Sequence, residues 1–116
     1  MGDRVNIGRP VPDVIAAAEA APTLATDGTI CEGFGRLSVS FHTLVGVTSY
    51  DLQVWVFDGI GWARAADASN ALIDINGITT TFAQQFDIAG FARAAVIVDA
   101  GVGFGTLVRQ YAAARL

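Results

Sequence analysis

A seven-residue phrase occurs twice in this chain and constrains the fold more than any other feature. The first copy is Gly33-Phe34-Gly35-Arg36-Leu37-Ser38-Val39, and the second, 57 positions later, is Gly90-Phe91-Ala92-Arg93-Ala94-Ala95-Val96. Each copy begins with a glycine and an aromatic residue and runs into strand-forming residues. The repeat predicts one β-domain built from two related halves, in which Phe34 and Phe91 enter the core at equivalent ends of two sheets.

The residues after each copy follow the period of a β-strand. In residues 36–44, Leu37, Val39 and Phe41 alternate with polar residues. Turn sequences separate further predicted strands at 50–57, 62–65, 72–75, 79–86, 92–98 and 106–113. No amphipathic helix of about 10–15 residues lies between them, which argues against a parallel α/β sheet. We expect an all-β fold, namely a single antiparallel β-sandwich, jelly-roll-like, with about seven or eight short strands.

The first 29 residues differ in composition from the rest of the chain. They contain all three prolines, Pro10, Pro12 and Pro22, and the Ala-rich run 15–21. Pro12 and Asp13 are typical of a helix start, and a helix begun there would end before Pro22. We therefore divide the chain into an extended N-terminal arm with room for a short helix, residues 1–29, and a β-sandwich domain, residues 30–116.

Composition limits the classes of function. The 116 residues fit one domain, and only 16% of them are charged, against roughly 25% in an ordinary soluble domain. The net charge is −4 and no basic cluster exists, so we expect no direct nucleic-acid binding. No apolar run approaches the roughly 20 residues of a membrane span, and the N-terminus lacks a signal-peptide pattern. Either the surface is rich in Ala and Gly, or much of it is an interface with other subunits.

No pattern of catalytic or metal-binding residues is present. Cys31 is the only cysteine, so neither an intrachain disulfide nor a thiolate metal site can form. His42 is the only histidine, and no Gly-x-Ser-x-Gly sequence accompanies it. Aspartates at turns or strand ends are expected to bond to nearby backbone; these are Asp58, Asp67, Asp74 and Asp99. We expect no catalytic residue, no cofactor and no metal, and a protein that is not an enzyme.

The two tryptophans lie on one predicted hairpin. Trp55 and Trp62 flank the turn Asp58-Gly59-Ile60-Gly61. If their rings are exposed, they could stack on sugars, which makes a carbohydrate- or receptor-binding module the alternative function. The favoured interpretation is that the two rings face each other across the hairpin and pack into the core.

From residue 30 onward the chain resembles small β-sandwich structural proteins of tailed bacteriophages. The residues that carry the resemblance are Gly33-Phe34, the strand 37–41, Val54-Trp55-Val56, Asp58-Gly59 and Trp62. The resemblance implies a virion protein made in the host cytoplasm, either a capsid decoration (cement) subunit or a small head or tail accessory subunit. Its implied partners are the major capsid protein or other head and tail subunits, and further copies of itself. It implies no catalytic residue, no cofactor and no membrane contact.

Apolar residues in the arm and in the last strand are the candidate assembly interface. They are Val11, Val14, Ile15, Leu24, Val108 and Tyr111. In this hypothesis residues 1–29 form a clasp at junctions between capsid subunits, and adhesion comes from apolar burial and added strand pairing.

Overall fold

A computed structural model describes residues 4–5, 13–31, 33–43, 48–88, 90–102 and 107–114. Within these residues the chain forms two antiparallel sheets, which confirms the predicted all-β class. The strands are β1 (Arg4–Val5), β2 (Asp13–Ile15), β3 (Thr29–Ile30), β4 (Arg36–Thr43), β5 (Ser49–Phe57), β6 (Trp62–Arg64), β7 (Asp74–Ile78), β8 (Phe82–Asp87), β9 (Arg93–Val102) and β10 (Leu107–Ala114).

The order of the strands is that of a jelly roll. The first sheet runs β1–β10–β4–β8, with β2 also on β10, and the second runs β3–β9–β5–β6, with β7 also on β5. β1 and β2 pair with different parts of the same edge of β10, so together they occupy the position of one strand. β6 and β7 stand in the same relation to β5. Counting each pair as one strand gives the orders 1-8-3-6 and 2-7-4-5, the two interlocked Greek keys of a jelly roll.

The two halves of the chain pair in equivalent registers. Arg36 of β4 lies opposite Ala114 of β10, and Arg93 of β9 lies opposite Phe57 of β5. The two pairs are equivalent at the 57-residue interval of the repeat: residue 93 lies 57 positions after residue 36, and residue 57 lies 57 positions before residue 114. The same shift converts the pairing of β4 with β8 into the pairing of β9 with β3. The structure therefore confirms two related halves, which an approximate two-fold rotation exchanges.

Each repeated phrase begins with the same tight turn. The phenylalanine N–H donates to the carbonyl oxygen three residues back, from Phe34 to Cys31 at 2.8 Å and from Phe91 to Ile88 at 3.2 Å. The glycine before each phenylalanine has a positive φ, 85° in the first turn and 92° in the second. A positive φ at the third position of a turn explains why glycine stands there, since other residues rarely adopt it. The two turns also bond to each other, since the N–H of Cys31 donates to Ala92 (2.8 Å) and that of Ile88 to Gly35 (2.9 Å).

The core lies between the sheets and is built from alternate residues of β4, β5 and β9. The ring centroids of Phe41 and Tyr50 are 5.8 Å apart, which packs β4 against β5. Phe34 and Phe91 are half-buried against this core, as predicted. Cys31 is fully buried beside its turn. That burial raises the pKa of its thiol to about 11, so the group is protonated at neutral pH.

Residues 13–15 of the N-terminal arm form a strand, so the short helix predicted there is wrong. Val14 and Ile15 are β-branched, and the edge of β10 offers their backbone a ladder that an isolated eight- or nine-residue helix lacks. Ile15 is buried in the core. The chain then crosses onto the outer face of the second sheet. There the Arg93 guanidinium donates to the carbonyls of residues 26–28 at 2.7 to 3.4 Å.

Replacing Gly28 should be the most disruptive of the glycine-to-alanine changes at these turns. Gly28 has φ +67°, and a Cβ there would lie 2.4 Å from the Ala94 carbonyl oxygen. Gly33→Ala is the matched control, because its φ is also positive but, among the described residues beyond its chain neighbours, no atom lies within 4 Å of the added carbon. We expect Gly33→Ala to lower the free energy of unfolding by about 1–2 kcal/mol, and Gly28→Ala by about 1–3 kcal/mol more, in urea denaturation. Equal losses would contradict the close approach of residue 28 to β9.

Candidate assembly and binding surfaces

The described residues hold no metal cluster. No three His, Cys, Asp or Glu side chains come together there in a way that could bind a metal ion. His42 is exposed on β4. Among the described residues, no helix has the length and apolar character needed to cross a membrane.

The predicted backbone role of the aspartates holds for two of the four. Asp58 accepts the N–H groups of residues 60 and 61 through one oxygen, and these hydrogen bonds, that of Gly61 most of all, lower the pKa of its carboxyl. Asp67 accepts the N–H groups of residues 69 and 71. The prediction is wrong for Asp74, which forms an ion pair with Arg64 at 2.5 Å. It is also wrong for Asp99, which accepts a side-chain hydrogen bond from β5.

The tryptophans lie on the outer face of the second sheet, so their predicted packing into the core is wrong. They do not face each other either, because Trp62 lies opposite Phe57 and Trp55 lies opposite Arg64. The inward face of β5 is already filled by its other alternate residues, which are buried. The Phe57 and Trp62 ring centroids are 5.3 Å apart, and the Arg64 guanidinium lies 5.9 Å from the centroid of Trp55.

The polar groups of both indoles have partners within the chain. The Trp62 N–H donates to the Leu24 carbonyl at 2.9 Å, and the Trp55 N–H donates to the Gln53 side-chain oxygen at 3.1 Å. A sugar that stacked on Trp55 would also have to displace the Arg64 guanidinium. The geometry therefore favours a structural role for both rings, and sugar binding by Trp55 and Trp62 stays an untested alternative.

Side chains close one edge of the second sheet. Beyond the short β3, the peptide groups of Val96 and Val98 on β9 have no strand beside them among the described residues. The Tyr111 hydroxyl accepts from the Val96 N–H at 2.9 Å, and Arg109 donates to the Val96 carbonyl at 3.0 Å. Glu19 accepts from the Val98 N–H at 3.1 Å, and its own N–H donates to the Val98 carbonyl at 2.7 Å. Arg109 and Glu19 are joined by two further bonds, at 2.6 and 3.1 Å.

The outer edge of β8 is, by contrast, open among the described residues. β8 pairs with β4 over six residues without a register shift. The Ile88 N–H donates to the Gly35 carbonyl, and bonded residues alternate along an antiparallel ladder. The peptide groups of Ala83 and Gln85 therefore point away from β4, and no other described strand pairs with β8.

An apolar groove runs beside β8 between the two sheets. Its volume is about 690 Å³, and residues 63–68 form its other wall. Its apolar lining comes from Val54, Val56, Ile73, Phe86, Ile88 and Phe91. On the equivalent side of the molecule, residues 19–22 and the Arg109 and Tyr111 side chains line a smaller groove of about 400 Å³. The two grooves differ in volume because the connections beside them differ in length. Residues 16–28 connect β2 to β3, whereas only residues 79–81 connect β7 to β8.

The predicted interface residues do not form one surface. Val11 lies outside the described residues, Ile15 is in the core, and the Tyr111 hydroxyl bonds to β9. Val14 (63% exposed) and half-buried Val108 are cross-strand neighbours on the outer face of the first sheet. Leu24 (61% exposed) lies on the second sheet, where its carbonyl accepts from Trp62. Sequence reasoning missed the β8 edge, although residues 82–86 carry neither charge nor proline, which was a usable signal.

Removing the Tyr111 hydroxyl should destabilise the fold measurably. Tyr111→Phe leaves the N–H of fully buried Val96 without this acceptor, which costs about 1–3 kcal/mol. Tyr50→Phe is the matched control, because its hydroxyl donates to the carbonyl of exposed Thr80, which water can reach. We expect the smaller loss, about 0.5–1.5 kcal/mol, for the control. Chemical denaturation of both variants measures the difference. A Tyr111→Phe variant as stable as the wild type would show that the Tyr111 hydroxyl does not help to close the edge of β9.

Comparison with known proteins adds evidence on the fold. No protein-family model matches the sequence, and no curated protein matches it either. A solved structure that does match is the SPBc2 prophage-derived protein YomS, with a TM-score of 0.57 and 16% sequence identity. The match covers 93% of this chain and 98% of that one. This chain therefore shares the fold of a prophage-derived protein over nearly the full length of both.

Proposed function

We propose that the protein is a non-enzymatic structural subunit of a tailed bacteriophage, a capsid decoration or head–tail accessory protein. The observation that carries the proposal is a jelly roll shared with a prophage-derived protein over 93% of the chain. Jelly rolls are a common architecture of viral capsid proteins. Because a fold alone does not determine function, the surface of the domain is the second source of support.

The surface of the domain suits protein contacts better than ligand chemistry. Large apolar side chains stand out from both sheets and their loops; they are Val14, Leu24, Ile30, Ile60, Leu72 and Val102, each at least 50% exposed. The low charge content, 16%, leaves little to solvate such a surface. These features support an assembly role.

We place the contact with the virion on the outer face of the first sheet. Residues 13–28 of the predicted clasp are engaged within the chain, through β2 on β10, the Glu19–Arg109 pair and the bonds from Arg93. The cross-strand pair of exposed Val14 and half-buried Val108 lies on this face, with His42 opposite Val108 on β4. We call these three residues the Val14 face.

Particles of the phage that encodes the chain provide the test. In gradient-purified particles, quantitative mass spectrometry should find peptides of this chain at a fixed ratio to the major capsid protein. Val14→Asp should lower that ratio roughly tenfold or more, because it buries a charge in an apolar contact. Ile60→Asp is the matched control, since Ile60 is 94% exposed on a hairpin tip of the other sheet, and it should be incorporated normally. Absence of the chain from purified particles would contradict the proposal.

A further inference from the structure

Among the described strands at the four sheet edges, only β8 is a long, regular edge strand. Among the described residues, the edge made by β1 and β2 consists of strands of two and three residues, and the edge of β6 and β7 is interrupted by residues 65–73. β3 has only two residues, and Glu19, Arg109 and Tyr111 cover the strand beyond it. Interruption, shortness and covering are the usual protections against edge-to-edge pairing. β8 has six regularly paired residues and a single charge, on Asp87, at its end.

We infer that β8 pairs with β8 of a second copy of this chain, antiparallel, about a two-fold axis at Gln85. The inference deepens the proposed function, on which it rests, by naming the surface that joins copies. The pairing makes the first sheets of both copies one continuous sheet. It also places both Val14 faces on the same side of that sheet, as a double contact for the virion.

Backbone direction and charge select this register. A two-fold axis can pass through either kind of residue pair in an antiparallel ladder. We place it at a residue whose peptide groups point outward, where the two axial residues exchange both hydrogen bonds, which gives the series Ala83, Gln85 and Asp87. An axis at Asp87 would set two carboxylates opposite each other, which is unfavourable. An axis at Ala83 would leave the second half of β8 unpaired. With the axis at Gln85, two neutral amides lie opposite each other and each Asp87 lies opposite an Ala83.

Apolar burial adds to the backbone bonds. Phe86, on the inward side of β8, would lie opposite Gln84 of the second copy, so the second strand runs along the mouth of the groove. That groove, about 690 Å³, would lose its contact with water on one side. Because the contact is the same patch on both copies, it closes after two copies and leaves no regular β8 edge exposed.

Charge complementation at Gln85 tests the pairing. Light scattering after size exclusion should give the mass of two chains for the wild type. Gln85→Lys and Gln85→Glu should each raise the dimer dissociation constant roughly tenfold or more, because like charges meet on the axis. An equimolar mixture of the two variants should recover the dimer, since opposite charges then face each other. Gln85 is exposed, so neither change should unfold the chain, and circular dichroism of both variants should match that of the wild type.

The matched controls are Asn76→Lys and Asn76→Glu, which change an exposed residue on β7 in the other sheet and should leave the dimer intact. A monomeric wild type, or a mixture that fails to recover the dimer, would overturn the inference. A monomer that still enters particles and is lost from them on Val14→Asp would overturn the β8 pairing and leave the proposed function standing. A dimer that is weakened by both charges at residue 85 and is absent from particles would support the β8 pairing and overturn the proposed function.

Discussion

Two backbone hydrogen bonds between the glycine turns hold the halves of this protein in register. The N–H of Cys31, in the first turn, donates to the carbonyl of Ala92, just after the second turn. The N–H of Ile88, in the second turn, donates to the carbonyl of Gly35, just after the first. Because an antiparallel register cannot slip by one residue without turning a strand's apolar face outward, these bonds determine which side chains of β4 and β9 enter the core. The pairing of β4 with β8 repeats at an interval of 57 residues in that of β9 with β3, and the pairing of β4 with β10 repeats in that of β9 with β5 as far as the register shift at Leu52.

The features that bear on function arise where the two halves differ. In the first half a long connection, residues 16–28, covers one side of the sandwich, and Arg109 and Tyr111 reach across to satisfy β9. In the second half the equivalents of those two residues are Leu52 and Val54, which are short, apolar and buried. The second side therefore keeps an apolar groove and a regular strand edge, on which the proposed β8 pairing rests.

The sequence predicted the fold well because the decisive signals are local. A glycine, a following aromatic residue and the alternation in residues 36–44 identify the bends and strands without knowledge of the tertiary structure. The strands of two or three residues at the edges were beyond prediction, since their stability comes from β10 and not from propensity. The surfaces were harder still. Glu19 and Arg109 are 90 positions apart. The orientation of Trp55 depends on which of the two faces of β5 packs against the core. Of the predicted interface residues that the structure describes, only Val14 and Val108 come together.

Native-state hydrogen exchange at the amides of Cys31 and Ile88 tests the linkage of the two halves most directly. If the reciprocal bonds join the halves into one cooperative unit, both amides should exchange only on global unfolding, with equal free energies that match denaturant unfolding. If one amide exchanges by local opening, orders of magnitude faster than the other, the two turns are independent and the linkage is wrong.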